Sequence, residues 1–263
     1  MAEEEVSPKR PIWSGTVTVG LVNVPVKLYS MIFDKGVSFR FLHKNDGQPL
    51  KYERVCTKDE KVVPWDEVVR GYEVNKDSFI VFDKKELDAF KPESDQRIRI
   101  DRFIDYLSVD PTFFERQYIL APDKNKEAYS LLLTALKELG KAGIGRITLR
   151  TKEYPAIVQP YKNALVLTTL RYSYEVADPS DIEDLKGLKE PNKKELEMAE
   201  TIIKSLSGDF DITEYQDTYK EKIDELIKKK LKGEVIKVEK PVKEEAKALM
   251  VALQETLQQL KKK

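Results

Sequence analysis

The chain has 263 residues, enough for one large domain or for one core with a smaller appendage. Hydrophobic residues make up 41% of it and charged residues 35%, which excludes global disorder and favours a folded body with charged, solvated extensions. A single cysteine excludes an internal disulfide, and no apolar stretch follows the acidic first residues. We therefore expect neither secretion nor membrane insertion, but a reducing cytoplasm. Basic and acidic side chains number 46 each, so the net charge gives no direct support to nucleic-acid binding.

Residues 12–169 predict mainly short β-strands. Residues 13–19 and 24–30 alternate between apolar and polar side chains around a turn. Further candidate strands, separated by Gly, Pro, Asn or Asp turn signals, are residues 38–43, 50–55, 78–82, 97–100, 117–120, 145–150 and 164–170. Many short strands at this spacing indicate a β-barrel.

One helix interrupts the strands, over residues 126–139. Leu132, Leu136 and Leu139 are predicted to share its buried face, and Gly140 follows as a C-terminal stop. We expect this helix to pack on the barrel.

Near residue 180 the composition changes to Lys, Glu and Leu, and the apolar spacing becomes helical. The predicted domains are a flexible N-terminus (1–11), a barrel core (12–180), a helical region (181–235) and a basic tail helix (236–263). The helical region carries two amphipathic stripes, one at Met198, Ile202, Ile203 and Leu206, and one at Tyr215, Tyr219, Ile223, Leu226 and Ile227. The tail carries Leu249, Leu253, Leu257 and Leu260.

Lys44-Asn45-Asp46-Gly47 is the sharpest enzyme-like motif. It fits the Lys-x-Asp-Gly pattern, in which a lysine amine attacks a nucleotide α-phosphate to give a covalent adenylate. The same residues also predict a turn between two strands, because Asp-Gly tolerates positive φ. The downstream lysines and carboxylates of a nucleotidyltransferase are not evident, so the turn is favoured and the enzyme remains the rival hypothesis.

The sequence predicts no metal site or other cofactor. His43 is the only histidine, and Cys56 lacks a second cysteine two or three residues later, where Thr57-Lys58-Asp59 stands. A paired-cysteine zinc knuckle is therefore excluded, and Cys56 is expected to be an inert thiol.

The run from Trp13 to Ser30, Trp-Ser-Gly-Thr-Val-Thr-Val-Gly-Leu-Val-Asn-Val-Pro-Val-Lys-Leu-Tyr-Ser, closely resembles the opening of prokaryotic Ku proteins. The resemblance continues through residues 41–44, 54–56, 65–73, 118–124 and 128–132, which covers the predicted barrel. Residues 210–219 and 248–253 are similar to later segments of the same family.

The resemblance implies a mainly β fold with α-helices, namely a Ku-type β-barrel core with a bridging arch, followed by a short helical C-terminal region. It implies a homodimeric ring that is threaded by double-stranded DNA ends without catalysis, in a cytoplasmic protein that associates with the nucleoid on DNA. A two-fold dimer would present one basic lining twice, and phosphate contacts would accept any DNA sequence.

Basic side chains in the segment that matches the arch are the candidate DNA-binding lining, although each could instead be a solvated surface charge. They are Lys44, Lys51, Arg54, Lys58, Lys61 and Arg70, with Lys27 and Arg40 as weaker choices. By the same resemblance, Tyr215, Tyr219, Ile223, Leu226 and Ile227 form the segment that recruits the ATP-dependent DNA ligase D of bacterial end joining. The alternative is that this stripe packs against the parent barrel.

Overall fold

A computed structural model describes residues 10–90, 95–233, 256 and 258. The chain divides into two compact units: Met1–Lys35 with Arg40–Ala177, and Gly36–Phe39 with Asp178–Lys263. The predicted tail stripe Leu249, Leu253, Leu257 and Leu260 lies outside the described residues.

The first unit contains a closed β-barrel of seven strands. In chain order they are β1 (Trp13–Val19), β2 (Val22–Ser30), β5 (Arg97–Asp105), β6 (Phe114–Pro122), β7 (Lys141–Leu149), β8 (Lys152–Tyr161) and β9 (Ala164–Leu170). Around the barrel the order is β1-β2-β6-β9-β8-β7-β5, and the parallel pair β1 and β5 closes it. The other two strands, β3 (Arg70–Asn75) and β4 (Ser78–Phe82), form a separate hairpin, and the short helix α1 (Lys84–Ala89) follows it. The predicted mainly β fold with a barrel core is confirmed.

The barrel core follows from the alternation in the strands, because one side of each strand points inward. Side chains such as Val17, Val26 and Leu28 are fully buried in it, together with Ile98 and Leu120. Alternation predicted the strands at 78–82 and 164–170 with their observed bounds. It missed β8, which contains two prolines, and β3, in which every side chain is exposed.

The two ends of the barrel differ. The 66-residue connection from β2 to β5, residues 31–96, leaves after Ser30 and returns before Arg97. These two points lie at the same end, since Leu28 pairs with Trp13 and Arg97 pairs with Thr16. We call it the arch end.

The opposite end carries the helix α2 (Lys126–Leu139), whose bounds match the prediction. Asn125 caps its first turn, and Gly140 ends it with φ 61°. Tyr129 and Leu136 are buried against the barrel core. Leu139, however, is the last residue of the helix and is 70% exposed, so its predicted burial is wrong.

The predicted strands at residues 38–43 and 50–55 are wrong. The chain makes only two isolated bridges there, Leu42 with Pro49 and Val55 with Val62. Each bridge closes a tight loop with the same bonds: the N–H of residue 43 or 56 donates to the carbonyl five residues later, and the N–H four residues later donates back. Because both loops turn the chain after one bridge, no ladder extends beyond them. We call them the first loop (43–48) and the second loop (56–61).

Within residues 178–233, the second unit contains two α-helices, α3 (Lys193–Leu206) and α4 (Thr218–Leu231). Asn192 and Asp217 cap them, each accepting a backbone N–H of the first turn. The short helical C-terminal region of the predicted fold is confirmed.

Candidate nucleic-acid interface

The arch, which we define as residues 40–90, is divided by charge. Its first part, residues 40–62, has six basic and four acidic side chains, whereas residues 63–90 have four basic and seven acidic ones. We call these parts the basic half and the acidic half. Almost every side chain of both halves is exposed. A phosphate backbone would be attracted to the basic half and repelled by the acidic half.

The basic half holds most of the predicted DNA-binding cations, and all of them are exposed. Lys44 lies in the first loop, Lys51 in the extended segment between the loops, and Lys58 and Lys61 in the second loop. Lys61 pairs with Asp59, Nζ to Oδ2 at 3.2 Å, an exposed ion pair that salt would screen.

Arg54 differs from the lysines because its guanidinium lies over an aromatic ring. Its Cζ is 4.3 Å from the centroid of Trp65, which is itself 71% exposed. Stacking on the ring holds the guanidinium in one orientation while its edge N–H groups stay free to donate to an anion.

The remaining predicted cations lie in less favourable places. Lys27, on the outer face of β2, pairs with Asp123 at 2.9 Å, and this hydrogen bond raises the pKa of Lys27. Arg70 begins β3, inside the acidic half. Arg40 is exposed at the start of the basic half.

Hydrogen bonds between polar side chains stabilise both loops of the basic half. In the first loop, Nδ1 of His43 lies 2.9 Å from Oδ1 of Asp46, and that oxygen accepts the N–H of Gln48 at 3.0 Å. In the second loop, the thiol of Cys56 is the largest cause of the lowered pKa of Asp59, followed by Lys61. The residues the structure describes contain no group of three His, Cys, Asp or Glu side chains placed to bind a metal.

The enzyme-like motif is part of the first loop. Its residues form the predicted turn, and Gly47 has φ 68°, which only glycine adopts without strain.

The acidic half presents the β3-β4 hairpin, which has large apolar side chains on both faces. Tyr72 opposes Ile80 on one face, and Phe79 and Val81 lie on the other. A two-stranded hairpin is at best marginally stable in water unless something covers one of its faces. Within the described residues, each of these four side chains is at least half exposed.

The sequence did not single out a second group of cations, at the arch end of the barrel. They are Arg97, Arg116, Arg150, Lys152 and Arg171. Lys152 pairs with Glu175 at 3.2 Å, and Arg171 donates to the backbone carbonyls of Thr112 and Phe114. Residues so far apart in sequence meet only because the barrel closes, so no local motif could have revealed them.

The predicted ligase-docking side chains all lie in the second unit, but they do not share one helix. Helix α4 begins at Thr218, so Tyr215 precedes it and the expected pair of tyrosines on one helical face is wrong. Tyr215 and Tyr219 are exposed, Ile227 is 39% exposed, and Ile223 and Leu226 are half-buried. None of the helices in the described part of the chain is long and apolar enough to cross a membrane.

A closed seven-stranded barrel, with a long arch inserted between its second strand and the strand that closes it, defines a class of arch-bearing β-barrel proteins. Residues 18–198 match the family model of the Ku70/Ku80 beta-barrel domain. The non-homologous end joining protein Ku of Anaeromyxobacter sp. (strain K) is 40% identical over 250 residues, 94% of this chain and 83% of that protein.

Two further relatives have the same name. That of Bacillus subtilis (strain 168) is 36% identical over 94% of this chain and 81% of the relative. That of Archaeoglobus fulgidus is 35% identical over 96% of this chain and all of the relative. The chain therefore belongs to the Ku family, which confirms the resemblance in the sequence.

Proposed function

We propose that this chain forms a homodimeric, non-catalytic ring that binds double-stranded DNA ends independently of sequence and recruits ATP-dependent DNA ligase D for non-homologous end joining. The relatives' shared name supports the pathway. The observation that carries the proposal is the division of the arch, with exposed cations in one half and an uncovered apolar hairpin in the other.

The hairpin supports association with a second copy. Seven apolar side chains in and beside it expose on the order of 750 Å², from the typical areas of such side chains. They are Val68, Val69, Tyr72, Val74, Phe79, Ile80 and Val81. A standard interface buries about 800 Å² per partner, so the patch is large enough for a stable dimer. Because both faces are apolar, a partner that encloses the hairpin covers more of it than a flat surface would.

Ile80→Glu tests this surface, since it introduces a charge where the second copy would pack. We expect the variant to sediment as a monomer while its barrel stays folded by circular dichroism. The matched control is Leu21→Glu, at the tip of the β1-β2 turn, where the side chain is 99% exposed. A dimeric Ile80→Glu protein would contradict the assignment of the hairpin.

The basic half supports contact with DNA phosphates. Replacing Lys44, Lys51 and Lys58 together by glutamine should flatten the dependence of log affinity on log salt by roughly 0.9 for each phosphate that the protein no longer neutralises. The reduction is therefore up to about 3 per subunit and twice that in a dimer. The control replaces Lys76, Lys84 and Lys85 of the acidic half. Equal slopes for the two triple variants would refute the assignment of the basic half.

A ring selects ends because a closed circle offers it no entrance. Gel-shift competition between linear duplex and closed circular DNA of one sequence, with the protein mass measured alongside, tests this directly. We expect a dimer that binds only the linear form. Equal binding to both forms would withdraw the ring and leave a general DNA-binding protein.

Ligase recruitment rests on the exposed side chains of the second unit. The double substitution Tyr215→Ala and Tyr219→Ala should weaken capture of ligase D by about tenfold or more, because exposed tyrosines are frequent interface anchors. DNA binding should not change. Leu107→Ala, at another exposed apolar position, is the control. Undiminished capture by the double variant would overturn the docking assignment.

A further inference from the structure

The arch end of the barrel contains a cavity of about 480 Å³. Its walls include three aromatic side chains, from Trp13 on β1, Tyr118 on β6 and Tyr154 on β8. Arg116 and Arg150 also line it. A small-ligand site typically has this size and this combination of apolar walls with a few charged groups.

The charged groups of the cavity favour an anion. Both guanidiniums are exposed, so an incoming ligand can reach them. The carboxylate of Glu115 also lies in the wall, where it accepts a hydrogen bond of 3.5 Å from the hydroxyl of Thr169. With two cations against one anion, the lining has a net positive charge, and guanidiniums bind phosphate with paired hydrogen bonds.

Gly15 leaves room for the indole of Trp13. A Cβ on Gly15 would lie 2.3 Å from Cη2 of Trp13 and 2.1 Å from the backbone oxygen of Gln96. Because Gly15 has no Cβ, the ring can fold back over the strand into the mouth of the barrel.

We propose that this cavity binds the phosphate of a nucleotide, specifically the terminal 5′-phosphate of a DNA end. The inference rests on the proposed function. Both ends of the arch connection meet the barrel at this end, and a duplex inside the proposed ring would pass here. Arg116 and Arg150 take the phosphate oxygens, while the aromatic walls contact the sugar or base. A free mononucleotide has the same chemistry, so the experiment must separate the two sources.

The chain has two tryptophans, Trp13 and Trp65, which makes a direct reporter possible. In a Trp65→Phe background, tryptophan fluorescence comes from the cavity alone. We would titrate this full-length protein with three probes: a duplex with 5′-phosphates, the same duplex with 5′-hydroxyls, and thymidine 5′-monophosphate. We expect the phosphorylated duplex to quench Trp13 and to bind about tenfold more tightly than the hydroxyl duplex, as one charged contact allows.

Arg116→Gln and Arg150→Gln should each abolish the preference for phosphate while binding of the hydroxyl duplex persists. Arg97→Gln, which removes a cation at the same end but outside this cavity, is the control and should keep the preference. Folding of each variant is checked by thermal unfolding. Arg150 is exposed in a turn, so its substitution should leave the barrel folded even if Arg116→Gln does not.

Equal binding of the two duplexes would overturn the inference and leave the proposed function untouched. Quenching by thymidine monophosphate but not by the phosphorylated duplex would also overturn it, since the cavity would then be a free-nucleotide site. Failure of linear duplex to compete better than closed circles would instead count against the ring itself, so the two failures are distinguishable.

Discussion

Tyr129→Phe should destabilise the barrel although it removes only one oxygen atom. The buried hydroxyl of Tyr129 donates to the backbone carbonyl of Leu120 at 2.6 Å and accepts the backbone N–H of Leu165 at 2.8 Å. Leu120 and Leu165 face each other in the β6-β9 ladder, so the hydroxyl joins the two strands and ties α2 to both. Burial raises the pKa of Tyr129, which keeps the hydroxyl protonated and able to donate at neutral pH.

The size of the effect follows from the two backbone groups that are left without a partner. Each buried group left unsatisfied costs about 1–3 kcal/mol, so we expect the free energy of unfolding to fall by about 2–6 kcal/mol. With a urea m-value of about 2–3 kcal/mol/M, the unfolding midpoint should fall by roughly 1–2 M. Trp13 packs against the barrel core, so its fluorescence reports this transition.

Tyr161→Phe, at the exposed last residue of β8, is the matched control and should unfold like the wild type. If Tyr129→Phe unfolds at the same urea concentration as this control, the hydroxyl does not link the strands. The Leu120 carbonyl on β6 and the Leu165 N–H on β9 would then find other partners once the hydroxyl is removed.

Two further predictions concern the barrel wall. Gly145→Ala should cost several kcal/mol in urea unfolding, on the order of a strained core substitution, because a Cβ would lie 1.7 Å from the backbone oxygen of Arg99. The pKa of Glu175 is lowered, first by the backbone N–H of Tyr172 and then by Lys152. A carboxylate with a depressed pKa stabilises the fold above its unfolded pKa of 4.5 and loses this contribution as pH falls through the folded value. The stability gap between wild type and Glu175→Gln should therefore be present at pH 7 and close below pH 4.5.

Gly208→Ala adds a Cβ in open space and should be nearly neutral, so equal destabilisation at the two glycines would contradict the steric argument. A Glu175→Gln gap that stays constant from pH 7 to pH 3 would show that the negative charge of Glu175, which Tyr172 and Lys152 stabilise, is not the cause.

Much of the barrel could be predicted because its strands are half-buried. Alternation of apolar and polar residues predicts such strands. Helical apolar spacing followed by Gly140 predicts α2, so the sequence alone places both kinds of element. In the arch, the same alternation predicted strands that do not form. Residues 38–43 and 50–55 alternate, but they have no sheet to join, and alternation cannot report whether a partner strand exists.

The candidate sites also differ in how far the sequence could predict them. Exposure of the cations in the basic half follows from their type, and all of them are exposed. The cavity at the arch end was beyond prediction, because Trp13, Arg116 and Arg150 come from three strands or turns that only the barrel order brings together. Tyr215 shows a third limit: helical spacing predicted a shared face, but the side chain of Asp217 accepts the N–H of Lys220 and starts α4 after it.

The zero net charge of the chain argued against nucleic-acid binding, and the division of the arch explains why that argument is weak. A positive surface attracts phosphate only within about a Debye length, roughly 8 Å at physiological salt, so distant acidic residues do not cancel it. The acidic half, with its apolar hairpin, is better suited to a protein surface, and its negative charge would keep a duplex on the basic half. One segment can thus serve two different partners while its charges cancel in the sum, and only their positions tell the two roles apart.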